Sequence, residues 1–147
     1  MIAPLVTALA LATPQPCTAA ETRGVAYAFV RAWTRGDVAA VERLVAPEPQ
    51  LKWISTAAPG ARAAPAAFDR ASFAAYLRRR HAQHDRLTLT SFRFNASDVR
   101  EDGAYGHFEF RLTRRADDWN GGRPSIRRGK GAIVCRPVLG LAVWSMG

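Results

Sequence analysis

The chain has 147 residues, 48% of them hydrophobic, which is the usual size of one compact domain with a real core. Its 21 Lys plus Arg against 12 Asp plus Glu give a net charge of +9, a balance that suits either an anionic partner or plain colloidal solubility. No Lys/Arg run exceeds three residues, so charge alone does not point to a polymer-binding arm.

The first 20 residues carry no Asp, Glu, Lys or Arg. Their apolar run from Ile2 to Ala12 matches the core of an export signal, and Thr18-Ala19-Ala20 supplies small residues for cleavage. The basic start of such a signal is missing, the first cation being Arg23. Residues 1–20 are therefore read as an export signal or N-terminal tail, and 21–147 as the domain. The apolar run is too short to cross a bilayer as a helix, so no transmembrane segment is expected. The location expected is extracytoplasmic, secreted or periplasmic, with cell-envelope association open.

The two cysteines are Cys17 and Cys135. In an exported chain such a pair is expected to form a disulfide. Cleavage after Ala20 would discard Cys17, so cleavage before it fits that expectation better. Lipid attachment at Cys17 is disfavoured by Pro14-Gln15-Pro16.

Val25, Phe29, Ala32 and Trp33 fall on one stripe at helical period, with Arg23, Arg31 and Arg35 off it. Gly36 can end this helix in a left-handed conformation, and Asp37 can cap the next. The second helix buries Val38, Val41, Leu44 and Val45 and is stopped by Pro47 and Pro49. Gln50 to Ser55 has strand chemistry, with Leu51, Trp53 and Ser55 predicted on one face and Lys52 and Ile54 on the other. Residues 57–67 are rich in Ala, Pro and Gly and read as a loop. A third helix is expected to open at Asp69, with Phe68 and Phe73 placed for a hydrophobic staple. Its apolar face is Phe73, Tyr76 and Leu77, and its end, Arg78 to His81, reads as a solvated terminus that suits the helix dipole.

From Arg86 the period changes to two, and four strands are predicted: Leu87 to Asn95, Ala104 to Arg114, Ser125 to Arg136, and Leu141 to Met146. In the first, apolar parity flips between Leu87/Leu89 and Phe92/Phe94, which one bulged residue reconciles. Glu101-Asp102-Gly103 and Pro137 to Gly140 read as tight turns, and Asp117 to Pro124 as a longer polar loop.

The helix–Gly-Asp–helix segment FVRAWTRGDVAAVERLVAP at 29–47, KWIS at 52–55, GKGAIVC at 129–135 and AVWSM at 142–146 together resemble the nuclear transport factor 2-like superfamily, which includes ketosteroid isomerase and SnoaL-like polyketide cyclases. The resemblance runs from about Thr22 to the end. It implies an α+β fold in which a curved antiparallel sheet of four to five strands wraps around three N-terminal helices, forming a cystatin-like cone. It also implies a cavity for a small apolar ligand and a possible homodimer through the sheet face. None of the catalytic motifs of those enzymes aligns residue by residue with this sequence.

Candidate chemistry lies on the strand where Tyr105, His107, Glu109 and Arg111 alternate with Gly106, Phe108, Phe110 and Leu112. His107 beside Glu109 would make an acid/base pair if this polar face lined the cone. Phe29, Trp33, Trp53, Phe73, Tyr76, Tyr105 and Trp144 are the candidate pocket residues. His81 and His84 lack companion ligands, so no metal site is expected and no cofactor is implied. Scattered basic groups without a recognised module or exposed aromatics give no expectation of nucleic acid. The expectation is an exported domain that binds a small apolar ligand or protein partner without catalysis. The alternatives are a proton-transfer enzyme, an isomerase or cyclase acting on an apolar carbonyl compound, and a structural dimerisation domain.

Overall fold

The computed structural model describes residues 14–56 and 70–146. The apolar run at 2–12, the loop at 57–67 and the Phe68–Asp69 helix entry lie outside the described residues, as does the side chain of Trp53.

Helix α1 runs Ala19–Arg35 and starts earlier than its apolar stripe announces. Thr18 caps it: its hydroxyl accepts from the Glu21 N–H while the Glu21 carboxylate accepts from the Thr18 N–H, so two orphan donors are satisfied reciprocally. Cleavage after Ala20 would remove this cap along with Cys17. At the other end Gly36 takes φ 67°, as the sequence suggests, and donates to Ala32 and Trp33 carbonyls. Asp37 then caps α2 (Val38–Leu44) through the Ala40 N–H. Helix α3 spans Arg70–Ala82.

Five strands follow the order β1-β5-β4-β3-β2. β2 (Arg86–Arg100), β3 (Gly103–Arg115), β4 (Ser125–Arg136) and β5 (Gly140–Met146) form an antiparallel meander. β1 (Trp53–Thr56) adds to β5 in parallel, pairing Ile54 with Trp144. Register shifts interrupt β2 between Leu89 and Ser91 and again between Phe94 and Ala96. The first is where the parity flip demands it, and each bulge bends the sheet around α1. β1 is shorter than the predicted Gln50–Ser55 strand at its start, so Leu51 and Lys52 fall outside it. Leu51 precedes the strand and is buried from a turn, while Ile54, expected opposite it, is the buried core residue.

The sheet's inner face carries Ala104, Gly106, Phe108, Phe110, Leu112 and Arg114 of β3, all buried. Phe110 stacks on Trp144 with ring centroids 4.1 Å apart, and Trp144 meets Phe29 of α1 at 4.8 Å. Two glycines make this approach possible. A Cβ at Gly129 would lie 2.3 Å from the Phe110 ring, and one at Gly131 2.5 Å from that of Phe108. Phe73 of α3 closes the layer against Phe29 and Trp33.

Cys17 and Cys135 form a disulfide across a sequence separation of 118. Both are buried beside the Ala104 carbonyl. The bridge ties the entry to α1 to the end of β4, reinforced by a Cys17 N–H bond to Ser97 and an Arg136–Glu21 ion pair of 2.9 Å.

Candidate functional site

Which face of β3 looks at Phe29 and Trp33 decides what the cone contains. The Phe row does. The alternate row, Tyr105, His107, Glu109 and Arg111, points to the outer face of the sheet, away from the helices. Among the candidate pocket residues, Phe29, Trp33, Phe73 and Trp144 are 0–2% exposed and pack on one another inside, with half-buried Tyr76 against Trp33 at 6.0 Å. Tyr105 lies instead with the outer row, buried under Lys52 and Arg100, whose cationic groups sit 5.9 and 5.2 Å from its ring centroid.

On that outer face the strands enclose a depression of about 380 Å3, a size suited to a small molecule. Ala132 and Val143 supply the apolar side chains of its floor, with Gly131 between strands. Lys52, Asn95, Arg100, Tyr105, His107, Glu109 and Lys130 make a polar rim. Glu109 and Lys130 also border a second, larger depression of about 700 Å3 that runs past Arg93, Arg111 and Arg128.

His107 and Glu109 share the rim but have different partners. His107 Nε2 lies 2.6 Å from Asp98 Oδ1, and Asp98 also accepts from Arg100 at 2.7 Å. Burial works to raise the Asp98 pKa, but the bonds from Arg100 and His107 outweigh it and hold the carboxyl below its ordinary value. An ionised carboxylate only accepts, so Nε2 carries the ring proton in this bond. Glu109 pairs across strands with Arg93 at 2.5 Å. Asp98 follows the predicted end of the strand at Asn95, and pairing of Ser97 with Gly106 and Asp98 with Tyr105 brings it to His107. Burial pushes the Tyr105 phenol up from its ordinary value and the nearby Asp102 carboxylate adds to this, while Lys52 opposes it.

A second cluster of charge occupies the inner face near the end of β3. Arg114, 0% exposed, donates from Nε and Nη2 to the two oxygens of Asp85, 1% exposed, at 2.9 and 2.5 Å. Arg80 donates to Asp85 at 2.7 Å and forks onto Asp118 at 2.8 and 2.9 Å. Burial alone would lower the Arg80 pKa, but Asp118 and Asp85 hold it raised. Arg80 is thus no part of a solvated helix end, and Asp118 does more than shape a turn. This network gives no periodic signal in sequence, because its members come from α3, the turn after it, β3 and the β3–β4 loop. Among the described residues, no group of three or more His, Cys, Asp or Glu is arranged to hold a metal ion, and no helix is long and apolar enough to cross a membrane.

No protein-family model and no curated protein sequence matches the chain. Solved structures do match in fold. The chain is similar to a provisionally named polyketide cyclase from Xanthomonas campestris pv. campestris, at 20% identity, covering 84% of this chain and 87% of that one with a TM-score of 0.51. It is similar to a ketosteroid isomerase-like protein from Erwinia carotovora atroseptica, at 14% identity, covering 86% and 92% with a TM-score of 0.54. A provisionally named dehydratase of the NTF2-like family from Streptomyces avermitilis matches at 16% identity over 84% and 90%, with a TM-score of 0.54. With its three helices inside a bent meander and the order of elements read from the sequence, the chain has the fold of the nuclear transport factor 2-like superfamily.

Proposed function

We propose that this chain is an exported binding domain that holds a small, largely apolar ligand in the depression on the outer face of its sheet and carries out no reaction on it. The observation that supports this most is the construction of that depression: an apolar floor of Ala132 and Val143 under a rim that includes Tyr105, His107 and Lys130. Seven of its eleven lining residues are polar or charged, so the depression suits a ligand that sets polar groups on the rim while its apolar part rests on the floor. The cations on the rim favour a ligand with one anionic group beside its apolar body. The buried disulfide is compatible with an oxidising compartment and supports export.

The same face is where a second copy would pair. Arg93, Arg111, Arg128 and Lys130 on it face only Glu109 as a counter-charge among the residues bordering the larger depression. Like charges brought together across a two-fold axis oppose self-pairing, most strongly at low salt. This favours ligand or anionic partner over homodimer on this face.

A proton-transfer reading has one observation in its favour, the 2.6 Å contact of His107 with Asp98 inside the same rim. Asp98 rather than Glu109 would then orient the imidazole, since Glu109 is engaged by Arg93. Native mass spectrometry of the purified protein, followed by binding and turnover assays on whatever compound it retains, separates these readings. Under the binding reading His107→Ala and Lys130→Glu leave folding intact and weaken retention, with no product formed by the parent protein. Turnover by the parent that His107→Ala abolishes would replace it with the enzymatic one. Unchanged retention in both variants would remove the outer depression from consideration.

A further inference from the structure

The charged cluster inside the cone is incomplete. Arg114 spends Nε and Nη2 on Asp85, but its Nη1 is buried with no hydrogen-bond partner. Arg127 lies on β4 opposite Leu112, and its guanidinium is 5.0 Å from the centroid of Trp119, the same ring that the Arg114 guanidinium covers at 4.0 Å. The Nε of Arg127 is also buried and unpartnered. Trp33, whose ring centroid is 5.6 Å from the Arg114 guanidinium, contributes a third buried, unpartnered donor, Nε1.

All three orphan groups are N–H donors, and a buried donor left unpaired is costly. Stacking on Trp119 engages the faces of the two guanidiniums and does nothing for N–H bonds at their edges. Charge is unbalanced in the same sense. Three guanidiniums, of Arg80, Arg114 and Arg127, meet two carboxylates, Asp85 and Asp118, and no ion pair among the described residues engages Arg127. Burial and the positive charge of Arg114 both pull the Arg127 pKa below its ordinary value.

We propose that Arg114, Arg127 and Trp33 form a binding site for a small oxyanion, the carboxylate or phosphate group of a ligand. An oxyanion supplies only acceptors, matches the planar fork of a guanidinium, and adds the missing negative charge. Access is by way of Arg127, which is half-buried, and Asp118, whose side chain is 46% exposed. The site lies on the inner face of the sheet and is independent of the outer depression.

The test titrates the full, disulfide-bonded protein with sodium acetate, sodium phosphate or sodium sulfate at an ionic strength held constant with sodium chloride, following tryptophan fluorescence and the thermal midpoint. A saturable response is expected. Saturation by acetate identifies a carboxylate site, and saturation by phosphate or sulfate alone a phosphate-type site. Arg127→Gln should weaken the response about tenfold or more, the usual effect of losing a charge-assisted bond. Arg114→Lys, which keeps a cation for Asp85 and removes the free Nη1, should do the same, and exposed Arg43→Gln should change nothing. Should Arg114→Lys fail to fold, Arg127→Gln decides alone. Responses to all three salts that are no greater than that to chloride, or a saturable response that survives Arg127→Gln, overturn the proposal.

Discussion

Asp85 is the residue on which the inner charge network turns. It is 1% exposed and accepts from Arg80 and from two nitrogens of Arg114. A buried pair of this kind adds little net stability over an apolar pair, because desolvation consumes most of the attraction, but removing one partner strands the other charge. Asp85→Asn is therefore expected to destabilise the fold by about 3–5 kcal/mol, read as a lower urea midpoint at unchanged slope. An Asp85→Leu, Arg114→Met double variant should lose much less than the sum of its single changes. Asp85 is hard to single out in sequence: it is one acid after a run of arginines and histidines, and only its burial distinguishes it from a turn residue.

At the scale of elements, the helical hairpin rests on Gly36. Its φ of 67° costs an L-residue about 1–2 kcal/mol. A Cβ there would also meet the His81 ring at 2.2 Å, but His81 is an exposed side chain that can swing aside. The backbone cost should thus dominate, and Gly36→Ala should destabilise by about 1–2 kcal/mol in chemical denaturation, with His81→Ala in the same chain recovering little of it. The sheet is specified differently. Its inner face is legible as alternation, Phe108-x-Phe110-x-Leu112, and its bend as a parity flip in β2, since both come from the period-two rule. The Gly129 and Gly131 positions read only as strand residues, and their role in admitting the Phe110 and Phe108 rings emerges from cross-strand pairing.

The whole molecule is closed by the disulfide, and carboxylates on several elements are held by cations on others, Glu21 by Arg136, Asp102 by Lys52 and Asp118 by Arg80. A bridge spanning 118 residues restricts the unfolded chain by at most about 4–5 kcal/mol. Reduction, or Cys135→Ser, should lower the unfolding midpoint by a matching amount, read in parallel denaturation curves with and without reductant. Acid should act on a separate set of groups. The backbone N–H of Thr18 and then Arg136 hold the Glu21 pKa down. Lys52 lowers that of Asp102 and Arg80 that of Asp118, while Arg100 and His107 overcome burial at Asp98. A carboxyl depressed in the folded state stabilises above its unfolded pKa and loses that contribution as pH falls through its folded one. Stability should therefore be flat above the ordinary values of 3.8 to 4.5 and decline below them. Because these groups are partly exposed, added salt should shrink the decline, which thermal melts from about pH 6 to about pH 2 at two salt concentrations would check.

The sequence by itself determined the helical hairpin with its Gly36 end and Asp37 cap, the presence of a third helix and the four long strands, because those follow from local rules: helical period, alternation, glycine and proline positions, and a capping side chain. It also determined that Tyr105, His107 and Glu109 share a face. Only the tertiary structure decided which way that face points, that His107 meets Asp98 while Glu109 meets Arg93, and that Arg114 is buried on Asp85. Those outcomes depend on strand register and on which of two alternating rows covers α1. Alternation alone is symmetric between the two faces, and the burial of Phe108 and Phe110 against Trp144 and Phe29 is what breaks that symmetry.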